Sequence, residues 1–217
     1  MWMFGESFEF ILIGLAVRLF LVAAVFPLHE MAHGLVANWL GDPTAKKMGR
    51  MTMNPLAHVD IIGTLCIFLF GFGWAKAVPV NPYNFKNRKL GMALTALAGP
   101  VSNIIAAFIG AILFHVFSPG LPYDGAVNYM FSVYITVNLS LAVFNLLPIP
   151  PLDGSRILAV LVPDRFMEKF YQYERYFFII LMIVVVSGVL NLPLRFLTDS
   201  LLDGLDWLAY NIVGIFR

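Results

Sequence analysis

From Leu90 to Phe117 the chain carries no Asp, Glu, Lys or Arg. That run exceeds the ~20 apolar residues a helix needs to cross a ~30 Å hydrocarbon core. In lipid a helix satisfies its own backbone, so such a run is constrained to one form. The rest of the chain agrees. It is 60% hydrophobic and 12% charged, where soluble domains average about 25% charged. The expected fold is an all-α polytopic membrane protein, with about five to six transmembrane or interfacial helices and a short re-entrant segment. A net charge of +1 gives no sign of nucleic-acid binding. The lone Cys66 excludes an internal disulfide and zinc sites of the thiolate finger type.

Phe8 to about Leu40 reads as one long helix, interrupted by Arg18 and by Pro27. Pro27 denies the Ala23 carbonyl its helical donor and should kink the helix just before His29. Gly41-Asp42-Pro43 closes it, and Lys46, Lys47 and Arg50 follow. Ile61 to Gly73 is apolar but too short to span, and of re-entrant length. A second basic stretch holds Lys76, Lys86, Arg88 and Lys89. Further spans are expected over Leu90–Phe117, Ala126–Leu147 and about Tyr176–Leu194, with a turn at Ser118–Gly125. Asp199, Asp203, Asp206 and Tyr210 mark a polar stripe on a last helix that lies in the interface or spans. Basic loops on one side place residues 41–60, 74–89 and 156–175 in the cytoplasm. That assignment requires residues 61–73 to enter and leave on the same side, as their length demands independently. Glu6 and Glu9 stand where a cleavable signal would carry Lys or Arg, so none is expected. The expected organisation is a single integral-membrane domain over 1–217, with no PDZ or CBS module.

His29-Glu30-Met31-Ala32-His33 is an H-E-x-x-H pattern inside this apolar surrounding. Four residues apart on a helix, His29 and His33 share a face and can address one metal ion. Glu30 lies on the adjacent face, where a general base would act. The same residues also suit a proton relay, so an intramembrane metal or proton transporter is the alternative reading. A catalytic zinc wants three protein ligands and one open position. His115 lies near the far end of its span and His58 in a polar loop. Asp153 is better placed, because Pro148, Pro150 and Pro151 unwind the chain ahead of it. Asp153 is also a natural N-cap for the helix that follows.

Three motifs occur in order: H-E-x-x-H, then Ala98-Gly99-Pro100-Val101-Ser102-Asn103, then Asn145 to Gly154 with its P-x-P-P-L-D-G ending. With G-D-P-T-A after the first, N-P-L-A-H-V-D at Asn54–Asp60 and G-W-A-K-A-V-P-V-N at Gly73–Asn81, the chain closely resembles the site-2 protease family of intramembrane zinc metalloproteases, in its compact bacterial and archaeal branch. The resemblance runs from about Phe26 to Ile157. It implies one Zn2+ per chain held by His29, His33 and Asp153, Glu30 as general base, and Asn103 as donor to the developing oxyanion. It implies an intramembrane endopeptidase acting on transmembrane protein or peptide substrates. It also implies a multi-pass protein of a prokaryotic cell membrane with its site nearer the cytoplasmic side. Helical rise puts Asn103 and His29 at similar depths, roughly 16–20 Å from the cytoplasmic ends of their spans.

Asn145 matches the family motif and is a candidate for holding the unwound segment or the substrate backbone. Ala96, Gly99, Asn103, Ala106 and Gly110 form a small-residue stripe suited to close helix packing, and Asn103 can serve there as an interhelical hydrogen-bonding residue instead. His58 and Asp60 are read as structural residues at the mouth of the re-entrant segment, with a second metal site as the lesser alternative. Gly71 to Pro79 is extended and a candidate edge for pairing with an unfolded substrate strand.

Overall fold

Among the described residues, 8–118, 126–163 and 173–215 of the computed structural model, all regular structure is helical. This is the expected all-α class. The chain divides into two units, Met1–Arg88 and Lys89–Arg217.

In the first unit α1 (Phe8–Phe20) and α2 (Phe26–Trp39) are joined through a π-helical turn at Leu21–Val25. Pro27 has no N–H for the Ala23 carbonyl, and the chain takes up the defect by widening one turn. The Phe26 N–H donates to Leu21 O, five residues back. The kink expected at Pro27 is thus a π-turn just upstream of it, one of the usual local causes of a bent helix. Leu12–Trp39 is long and apolar enough to cross a membrane.

Gly41, at φ 106°, turns the chain into the short α3 (Thr44–Lys47). Three Asx-Pro turns then shape the polar region. Asp42, Asn54 and Asn81 each precede a proline, and each side-chain oxygen accepts the N–H two residues on, from Thr44, Leu56 and Tyr83.

The re-entrant segment forms α4 (Ile61–Phe70), capped by the Asp60 carboxylate, which accepts the Gly63 N–H at 2.8 Å. Gly71 ends it in the left-handed region at φ 77°. Arg18 Nη1 donates to Phe68 O at 2.6 Å, placing a cation at the negative end of this helix. Ten residues of helix rise only about 15 Å, half a hydrocarbon core. The chain then doubles back, with the Lys76 N–H on His58 O at 2.8 Å. Gly63 and Gly73 permit the return: a methyl on Gly63 would run into Trp74 O, and one on Gly73 into Gly63 O. Entry and exit at one end are what the length and charge of the segment require.

The second unit contains α5 (Arg88–Phe117) from its second residue on, with α6 (Ala126–Asn145), α7 (Asp153–Leu158), α8 (Glu174–Ser187) and α9 (Asn191–Ile215). The small-residue stripe of α5 is buried along its length. At Gly110 a Cβ would come within 2.7 Å of the Tyr134 ring on α6, so glycine sets how close the two helices approach. Ala107, Ala111, Ile135, Leu139 and Ala209 form one buried cluster, which α9 joins through Leu202 and Leu205.

One expectation changes here. The helix expected to run to Leu194 stops at Ser187. Gly188, at φ 74°, breaks it, and α9 leaves at 82° to α8. By length and composition three helices among the described residues can cross a membrane, or four if the bent pair counts as one. Of the turn expected at Ser118–Gly125, only Ser118 lies within the described residues.

Candidate metal centre

Helical spacing brings His29 and His33 together as expected. Their Nε2 atoms stand 3.0 Å apart, with the rings edge to face at 89° and both side chains buried. Two imidazole nitrogens at that distance either share a hydrogen bond or address a common cation. Tetrahedral zinc ligands at ~2.0–2.1 Å from the metal lie about 3.3 Å apart, so the pair needs little adjustment to fit. Imidazole nitrogen is also a donor that zinc favours.

Glu30, one position on, is buried and turned to the adjacent face. Its Oε2 accepts the backbone N–H of Val78 at 2.7 Å. The structure gives Oε1 no hydrogen-bond partner among the described residues, so only one of the two oxygens is anchored. The donor lies 48 positions away, in the extended stretch after the re-entrant helix. That stretch is tethered on both sides of Val78. Arg50 Nη2 donates to Lys76 O at 2.7 Å and to Ala77 O at 3.2 Å. The Asn81 N–H donates to Asp42 Oδ2 at 2.7 Å.

Asp42 itself is fully buried. Its Oδ1 accepts from Thr44 N–H, Thr44 Oγ1 and Asn84 Nδ2. Burial pushes the carboxyl up, but the bonds from Thr44, Asn84 and Asn81 outweigh it and hold the pKa below the usual value. None of this network was anticipated from sequence. The one visible signal was local, the Asp-Pro-Thr turn.

In the second unit Asp153 is buried and is the first helical residue of α7. The expected N-cap role does not hold: Leu152 occupies the cap position, and no side chain caps that end. Gly154 explains the local path. A Cβ there would run into Leu146 O and Leu147 O, so the Leu-Asp-Gly turn lies hard against the end of α6.

Asn103 is fully buried, and its Nδ2 donates to Asn138 Oδ1 at 2.9 Å. Asn138, also buried, donates in turn to Tyr134 O at 2.8 Å. Asn138 was missed in sequence; an Asn inside an apolar span was the available signal. Asn145 donates to Leu141 O on its own helix at 3.0 Å. His58 is buried with Nε2 at 2.9 Å from Thr52 O, and Asp60 caps α4, so both hold the mouth of the re-entrant hairpin. His115 pairs instead with Asp206, Nε2 to Oδ1 at 2.8 Å, beside the Tyr210 ring. That contact gives Asp206 of the polar stripe of α9 its partner.

The profile of peptidase family M50 matches residues 121–190. A candidate zinc metalloprotease of Bacillus subtilis, YwhC, is 46% identical over 167 residues, covering 75% of this chain and 76% of the relative. A candidate zinc metalloprotease of Methanocaldococcus jannaschii is 32% identical over 143 residues, covering 65% of this chain and 69% of the relative. No solved structure matches the chain.

Proposed function

The chain belongs to peptidase family M50, and on that premise we propose that it is an intramembrane zinc endopeptidase. It cuts peptide bonds within or beside transmembrane segments of membrane-protein substrates. The observation that carries this reading is the pairing on one apolar helix of two converging histidines with a buried glutamate that keeps one oxygen available. Transport of metal or protons is not favoured for a chain of a peptidase family.

In this reading His29, His33 and Asp153 hold the metal, the three protein ligands a catalytic zinc wants. Zinc there supplies Lewis acidity, polarising the scissile carbonyl and making water a competent nucleophile near neutral pH. Glu30 Oε1 accepts the proton of the attacking water and returns it to the departing amine, while the Val78 N–H keeps the carboxylate aimed. Asn103 takes the remaining role. Its Nδ2 donates to Asn138, and Asn103 is assigned as donor to the developing oxyanion. The whole chain, 1–217, acts in this reading as one protease domain. Basic flanks on both sides of the α4 hairpin support a cytoplasmic mouth, with water entering from that face. Asn145, bonded to its own helix, steadies the start of the unwound segment in this scheme.

The test is co-expression with single-span membrane proteins, read as released fragments, together with zinc content of the purified chain. Wild type should release fragments and carry about one zinc per chain, as a three-ligand catalytic site requires. Glu30→Gln should keep the zinc and release nothing. His33→Ala or Asp153→Ala should lose most of the metal as well. Unchanged zinc in Asp153→Ala would remove Asp153 from the ligand set.

A further inference from the structure

Glu30 and Asp42 lie on one continuous piece of chain, the second just beyond the C-terminal end of α2. Both reach across to the same extended stretch, Glu30 to the N–H of Val78 and Asp42 to the N–H of Asn81. A buried carboxylate so placed fixes backbone rather than substrate. Three of its four bonds close a local cage with Thr44 and Asn84, and the fourth is the tether to Asn81. Arg50 holds the other side of Val78 through the carbonyls of Lys76 and Ala77. Between these two clamps the Val78 N–H has little freedom, and it is the group that orients the Glu30 carboxylate.

We propose that Asp42 is a positioning residue for the reaction, holding the Asn81 side of the extended stretch so that the Val78 N–H fixes Glu30. This rests on the proteolytic reading with Glu30 as base. Asp42 touches neither the base nor the metal ligands in any described contact. Its influence passes through three residues of backbone.

Asp42→Asn cuts the tether selectively. The amide keeps one oxygen, and the arrangement that loses fewest bonds turns that oxygen to the three donors of the cage. Its NH2 then faces the Asn81 N–H, donor against donor. The variant should keep its zinc and hold KM within about twofold. Its kcat should fall about tenfold to a hundredfold, the scale set by small misplacements of a catalytic group. Hydrogen exchange of peptides covering residues 76–81 should quicken by about tenfold, a readout independent of activity. Asn81→Pro removes the same N–H from the other side, and keeps the question answerable if Asp42→Asn does not fold. Thr44→Val weakens the cage but leaves the tether, so it should lower Tm without changing kcat. Faster exchange at 76–81 with kcat unchanged overturns the proposal, as does an equal fall in kcat from Thr44→Val. A wild type that cuts no membrane substrate overturns the proteolytic reading itself, a failure seen before any variant is compared.

Discussion

In the first unit, Glu30 and Asp42 are held by directed hydrogen bonds from backbone that returns from far along the chain. In the second, Asn103 and Asn138 are held by the close approach of two helices, for which Gly110 and its alanine neighbours leave room. One region positions polar groups by bonds and the other by packing. The lesson is that a bond network can be cut one strand at a time with the fold intact, whereas a packed seam yields only as a whole.

The largest effect that sharpens this contrast is expected at Asn103. Asn103→Ala should fold and keep zinc but lose about 2–4 kcal/mol of transition-state stabilisation, the usual scale for an oxyanion donor. It is read as kcat on a cleavable membrane substrate, and an unchanged kcat would return Asn103 to the seam as a packing residue alone. Next comes Gly110→Leu, which forces a side chain against the Tyr134 ring. It should cost about 1–3 kcal/mol of stability in thermal unfolding, with kcat per zinc-loaded molecule preserved. A normal Tm with a lost kcat would break the comparison, since packing would then be controlling chemistry directly.

The smallest effect concerns pH. The folded pKa of Asp42 lies below its ordinary value of 3.8. The stabilisation it contributes is therefore fully present above that value and is lost as pH falls through the lower, folded one. The Tm gap between wild type and Asp42→Asn should be flat across neutral and mildly acidic pH and should close only below pH 3.8. A gap that closes near neutrality would mean the carboxyl is raised, and that its cage does not form.

Much of this was legible in sequence because it is local. The His29–His33 pairing follows from helical spacing, the defect beside Pro27 from a missing donor, and the return of the α4 hairpin from its length. What escaped is what depends on distant backbone. An N–H such as that of Val78 has no residue signature, so its bond to Glu30 cannot be read from residue type. Asp42 announced a turn with Thr44, but nothing near it pointed to Asn81 or Asn84. At Gly188 the apolar run continues on both sides, so the break between α8 and α9 was hidden by hydropathy. Asp153 was right as a buried carboxylate and wrong as a cap, a difference of one helical position.

The π-turn at Leu21–Val25 has a consequence for phase. In an unbroken α-helix, residues 18 and 29 would fall within about 20° of each other, because eleven residues make just over three full turns. The extra residue of the π-turn sets everything after it back by about 100°. Arg18 is thereby free to face the end of α4 while His29 and His33 look elsewhere, and the guanidinium is kept off the bearing along which a metal cation would be held. The turn acts as an angular offset between two positive charges carried on one rod.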